Sequence, residues 1–327
     1  MKRIINRLFG CFVTLLLSAA MVNWLDELVR PADIDMALHA IDTFHEIPED
    51  TLEVIGYGSS HMWRGMNPKV MYEKYGIGAY NYGCNWQHMN TTELFLKDSF
   101  LAQSPRVVLI ETYMVNEVLQ DVDLNGEIYY TRGIAEFEGK REYLKQCFGE
   151  DKDRYVSYYM PLAAFHDNWV HVNEESFKKQ SRDINFLSTM GYLYTSEVSP
   201  VTIADPETFE QKELSAEAIS VLDEIVSLCS RNHAAIIFYT APWQGVFSYG
   251  DAMKAYAREK GCVYLNLFEY MDELALDCEK DFYDMGHLND SGAVKVADFL
   301  GSYIVNNYEV TDMRNADGNI WENQWNE

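Results

Sequence analysis

Short runs of β-branched and aromatic residues recur along this chain with helical patterns between them: Leu52–Tyr57, the segment AYNYG ending at Gly83, Arg106–Thr112, Ala234–Pro242 and Cys262–Leu267. Apolar periodicity predicts helices over Pro68–Tyr75, 88–102, Leu214–Asn232, Asp251–Lys260 and Asp290–Val305. Strands that alternate with helices need right-handed crossovers, and strands apolar on both faces must be covered on both. The pattern therefore predicts an α/β fold, a three-layer α/β/α sandwich with about five parallel strands. In such a sheet the reactive residues lie beyond the carboxyl ends of the strands.

The alternation fails between residues 116 and 206, a stretch rich in Tyr, Asp, Glu and Lys that reads as an insertion or cap on a domain spanning residues 31–309. Its aromatic residues, among them Tyr158, Tyr159 and Trp169, are those expected of a lid that excludes water. Residues 26–50 read as a polar connector with a short helix, and residues 310–327 as a loosely ordered polar tail.

The first 30 residues are a separate object. Lys2, Arg3 and Arg7 precede an uncharged run from Leu8 to Leu25, and Asp26 and Glu27 follow at once. The run is near the lower end of the roughly 17–25 residues that span a bilayer, and no clear small-residue cleavage site follows it. We read it as an uncleaved signal anchor in preference to a cleaved signal peptide, with the basic flank cytoplasmic and the body outside. With 26 basic against 51 acidic residues the formal net charge is −25, which disfavours nucleic acid as a partner. The six cysteines include no C-x-x-C pair and no grouping with histidines at zinc spacing, so neither a metal site nor a disulfide framework is expected.

The strand Leu52–Tyr57 runs into Gly58-Ser59-Ser60-His61, and Asp284-Met285-Gly286-His287 stands just before the last helix. Acyl transfer through serine needs a nucleophile, a base in hydrogen-bond reach, a carboxylate that orients the base, and donors for the oxyanion. Both motifs fall on the same edge of the expected sheet. Each alone is common; together and in this order they point to one site.

Here the sequence resembles the SGNH/GDSL hydrolases. Gly58-Ser59-Ser60 stands where that family carries Gly-Asp-Ser, Gly83 in NYGCNWQ matches its second block, and Asp284-Met285-Gly286-His287 its D-x-x-H block. The resemblance covers about residues 50–120 and 230–305, and is greatest to the membrane-anchored, extracytoplasmic branch that includes D-alanyl-lipoteichoic acid proteins and polysaccharide O-acetyltransferases. It implies a flavodoxin-like fold, Ser60 as nucleophile, His287 as base, Asp284 as its orienting partner, the amides of Gly83 and Ser60 in the oxyanion hole, and no cofactor. Two blocks depart from the family: Ser59 replaces its usual Asp, and ETYMVNE replaces Gly-x-Asn-Asp, leaving Asn116 as the nearest amide for the third oxyanion position. His61, Asn85, His166 and Trp169 are candidate substrate contacts. The implied activity is ester hydrolysis outside the cytoplasm. Its alternatives are O-acyl transfer to a cell-wall or exopolysaccharide polymer, with a membrane-bound acyltransferase as partner, and a non-catalytic assembly component.

Overall fold

The computed structural model describes residues 2–118, 127–178, 184–316 and 320–321. It opens on α1 (Lys2–Val29), a continuous helix whose apolar side chains from Ile4 to Trp24 are exposed. At 28 residues it is about 42 Å long, and it is long and apolar enough to cross a membrane. After Arg30 and Pro31 comes α2 (Ala32–Phe44). The expected polar connector is therefore corrected to a full helix in the core: Ile34, Ala37, Leu38, Ile41 and Phe44 are buried, and Phe44 stacks on Tyr82 at 4.1 Å between ring centroids. The alternation of those apolar positions with Asp33, Asp35, His39 and Asp42 disguises a 3.6-residue period as general polarity.

Five strands, β1 (Val54–Tyr57), β2 (Ala79–Asn81), β3 (Val107–Glu111), β4 (Ala235–Thr240) and β5 (Val263–Asn266), form one all-parallel sheet in the order β2-β1-β3-β4-β5. The chain leaves β1 toward one edge and returns to its other side as β3. That reversal opens a crevice at the carboxyl ends of β1 and β3, where loops diverge instead of packing together. Every residue of β1, β2 and β3 is buried, which accounts for the continuous apolar runs.

Alternate strand residues feed two cores. Ile55, Tyr57, Val108, Ile110 and Phe238 meet α2 and the helices Met89–Ser99, Ala216–Arg231 and Gly250–Lys260. Val54, Val107, Leu109, Ile237, Tyr239 and Leu265 meet the helices Pro68–Tyr75 and Asp290–Asn307. The molecule is thus a three-layer α/β/α sandwich.

The insertion folds into short helices, among them Glu138–Phe148, Lys152–Tyr159, Pro161–Phe165 and Glu174–Lys178. It is not a lid built on the expected aromatics. Tyr158 is buried within the insertion, 6.2 Å from the ring of Tyr129, while Tyr159 and Trp169 are exposed. The part that reaches the sheet edge is the extended segment 190–201. Its Gly191 carbonyl accepts from the Trp63 indole at 2.9 Å, Leu193 N–H donates to the Trp63 carbonyl at 3.0 Å, and Ser199 N–H donates to the Phe282 carbonyl at 2.9 Å. The C-terminal tail is also corrected where it is described: Trp321 is fully buried and stacks on Tyr72 at 5.7 Å. Residues 317–319 and 322–327 of that tail lie outside the described residues.

Candidate active site

β1 ends at Tyr57, and Gly58 turns the chain at φ +150°, a conformation that side chains rarely adopt. A Cβ at Gly58 would lie 2.8 Å from Glu111 Cβ. Gly58→Ala is therefore expected to cost ~1–3 kcal/mol in backbone strain alone, read as a lower unfolding midpoint. Ser59 then caps the four-residue helix Ser60–Trp63, its Oγ accepting from His61 N–H at 3.3 Å. Ser60 is the first helical residue and is half-buried. Opening amides have no acceptor within a helix, so they can serve an anion.

The second motif is a closed loop. Asp284 Oδ1 accepts from Gly286 N–H at 2.7 Å and His287 N–H at 2.9 Å, and Tyr283 N–H donates to the His287 carbonyl at 2.9 Å. A bridge between Phe282 and Leu288 fastens its base. So held, Asp284 faces His287 Nδ1 with both oxygens, at 2.9 and 3.0 Å, and His287 Nε2 lies 2.7 Å from Ser60 Oγ. The network assigns the proton to Nδ1, leaving Nε2 to accept from the Ser60 hydroxyl. Burial raises the Asp284 pKa, but the hydrogen bonds from His287 and the Gly286 amide outweigh it and hold the carboxyl below its ordinary value.

The remaining expected site residues are distributed differently. Gly83 packs against Met62 and Trp63, where a Cβ would lie 2.8 Å from Met62 Cγ, and its N–H donates to Asn81 Oδ1 at 3.2 Å. The amide expected to stand open is engaged within its own turn. Asn116 Oδ1 accepts from Ser215 N–H at 2.7 Å, bracing the start of the helix Ala216–Arg231. His61 is not an open substrate contact. It is 5% exposed, its ring centred 3.9 Å from Tyr113 and 5.2 Å from both Trp243 and His287. Burial, and then the neighbouring His287, push its pKa down to about 3, so the ring is neutral.

Asn85 lines a cleft of about 640 Å³ with Trp86, Tyr113, Trp243, Phe247 and Tyr249. Ser60 and His287 are not in its lining. The cleft meets them across the wall of Tyr113 and Trp243 that packs on His61. His166 and Trp169 are elsewhere. They belong to a turn, His166–His171, that packs against the end of α1, where Asn168 Nδ2 donates to the Val29 carbonyl at 3.1 Å.

No protein-family model matches the chain, and no curated protein matches it significantly.

Three residues at the site were missed from sequence. Asn81 is buried and its Nδ2 donates to the carbonyls of Met62 at 2.7 Å and Met66 at 2.8 Å, tying down the turn that follows Ser60. Arg64 lies 4.9 Å over the Tyr283 ring, beside the Asp284 loop. Glu111 ends β3 fully buried, accepting from Tyr113 N–H at 3.0 Å, with Ser59 Oγ 3.3 Å away. Burial dominates these hydrogen bonds and pushes its pKa up to about 8, so it is largely protonated at neutral pH. A lone carboxyl closing the apolar run RVVLIE is the signal that could have found it.

Proposed function

We propose that the chain is a serine esterase of the SGNH type, acting on acyl esters outside the cytoplasm. The observation that carries this reading is the unbroken chain from Asp284 through both nitrogens of His287 to Ser60 Oγ. Ser60 Oγ attacks the acyl carbonyl while its proton passes to His287 Nε2, and the Ser60 amide at the opening of its helix faces the developing oxyanion. The C–O bond to the alcohol then breaks, and His287 returns the proton to the leaving oxygen. Asp284 keeps the imidazole in the accepting tautomer and stabilises it once protonated. Water, activated by the same histidine, releases the acyl group from Ser60.

A second reading has support of its own. The aromatic cleft beside the triad, with Trp86 exposed on it, suits a carbohydrate hydroxyl as acyl acceptor. The full chain, reconstituted in lipid nanodiscs and given p-nitrophenyl acetate, is expected to release nitrophenol. Acceleration by added oligosaccharide, with acetyl appearing on the sugar, supports transfer; equal rates with and without sugar support hydrolysis. A folded protein without turnover supports the non-catalytic reading and overturns both.

A further inference from the structure

We propose that the exposed apolar side chains of Val156, Tyr159, Met160, Trp169, Val170 and Phe177 rest in the interfacial layer of the same bilayer that α1 spans, so that the insertion is a membrane-seated collar. The proposal rests on α1 lying in a membrane and is independent of the ester chemistry.

Position is the first argument. The helix Pro161–Phe165, the turn His166–His171 and the helix Glu174–Lys178 gather around the last turns of α1, and the helix Lys152–Tyr159 packs on the first of these: Asp26 accepts from Leu162 N–H, Asn168 donates to the Val29 carbonyl, and the rings of Trp24 and Phe177 are 6.3 Å apart. Along α1 the side chains are exposed as far as Trp24 and buried by protein at Asp26 and Val29. The lipid-facing part of the helix therefore gives way to protein at the level where the collar begins. The collar's exposed side chains are the kind that partition into the headgroup boundary: Trp169 is 69% exposed, Val170 66%, Phe177 58% and Met160 51%.

Charge is the second argument. An acidic residue at a helix exit would hold the body away from lipid. Here Asp26 is buried and paired with Arg30 at 3.0 Å and Arg132 at 3.6 Å, and Arg30 also holds Asp35 at 2.8 Å. The carboxylates of Asp26 and Asp35 are thus buried and ion-paired at the junction, which lets the apolar collar descend ~5–10 Å into the boundary. Asp33 and Ile34 on the rim of the aromatic cleft follow the end of α1 within five residues, so a seated collar holds that cleft at the membrane face.

Tryptophan quenching tests this in the full chain. Wild type and Trp169→Phe are reconstituted in phosphatidylcholine vesicles, chosen because exposed Asp167 and Glu174 would confuse an anionic surface, and in the same lipid brominated on its upper acyl carbons. The difference in emission between the two proteins isolates Trp169 from the other tryptophans. Brominated lipid is expected to remove most of that difference signal, with unchanged thermal unfolding showing that both proteins are folded. A Trp169 signal equal in the two lipids overturns the proposal, whether the face lies in water or photobleaching counts show it covered by a second copy. Extraction of the protein by carbonate overturns it too, by removing α1 from the bilayer.

Discussion

Ser60→Ala is expected to reduce turnover of an activated acyl ester by on the order of 10⁴–10⁶-fold, and His287→Ala by nearly as much. In the proposed mechanism the two groups act as one unit: without the imidazole 2.7 Å from Oγ the hydroxyl would keep its proton, and without the hydroxyl the imidazole would have nothing to activate. The double variant should therefore be no slower than the worse single one. Asp284→Ala should cost less. Its carboxylate orients a ring that also packs near His61, and it takes no covalent part. Steady-state rates with p-nitrophenyl acetate on the folded variants check this, and losses that simply multiply in the double variant would mean that Ser60 and His287 act separately.

The buried carboxyl of Glu111 carries the second large effect. Its pKa is raised from an ordinary 4.5 to about 8 in the folded chain, so the folded state holds a proton that the unfolded state gives up. The contribution to stability is whole below about pH 4.5, falls as pH rises through the interval, and levels off above about pH 8. The integrated loss is on the order of 4–5 kcal/mol at most. Glu111→Gln cannot ionise and can still accept from Tyr113 N–H. Against this variant, wild type should match or exceed stability in acid and lose ground steadily toward pH 8. Thermal unfolding of the pair across that range reads the difference, and parallel curves would show that Glu111 does not titrate between the two states.

The sheet was legible because its strands are buried on both faces over most of their length, so their sequences are mainly apolar and unlike the helices around them. α2 was not, since polar residues interleaved with Ile34, Leu38, Ile41 and Phe44, the buried Asp35 among them, mask their period. The residues 190–201 escaped for a different reason. They are held by backbone hydrogen bonds to Trp63 and Phe282, and backbone bonding leaves little mark on side-chain choice. At the site, Ser60, Asp284 and His287 could be picked out because a serine just after a strand and an Asp–His pair just before the last helix are the residue types the proposed chemistry would need. The supporting residues could not. Asn81 and Glu111 look like chance polar positions in apolar runs until the fold sets them against Met62 and Ser59. Gly83 misled in the opposite way, since an amide near the right strand end is pulled to its nearest structural partner, Asn81.

The central claim is that the hydroxyl activated at this sheet edge belongs to Ser60 and not to its neighbour. Ser59 Oγ is buried, shared between His61 and Glu111, whereas Ser60 Oγ is half-buried and faces His287. The direct measurement is to react the full-length protein with a serine-directed fluorophosphonate, digest it and locate the added mass by fragmentation of the peptide that carries both serines. The account predicts one adduct, on Ser60, absent from Ser60→Ala and weakened but present in Ser59→Ala. An adduct on Ser59, or a folded wild-type protein that takes up no probe, would contradict it.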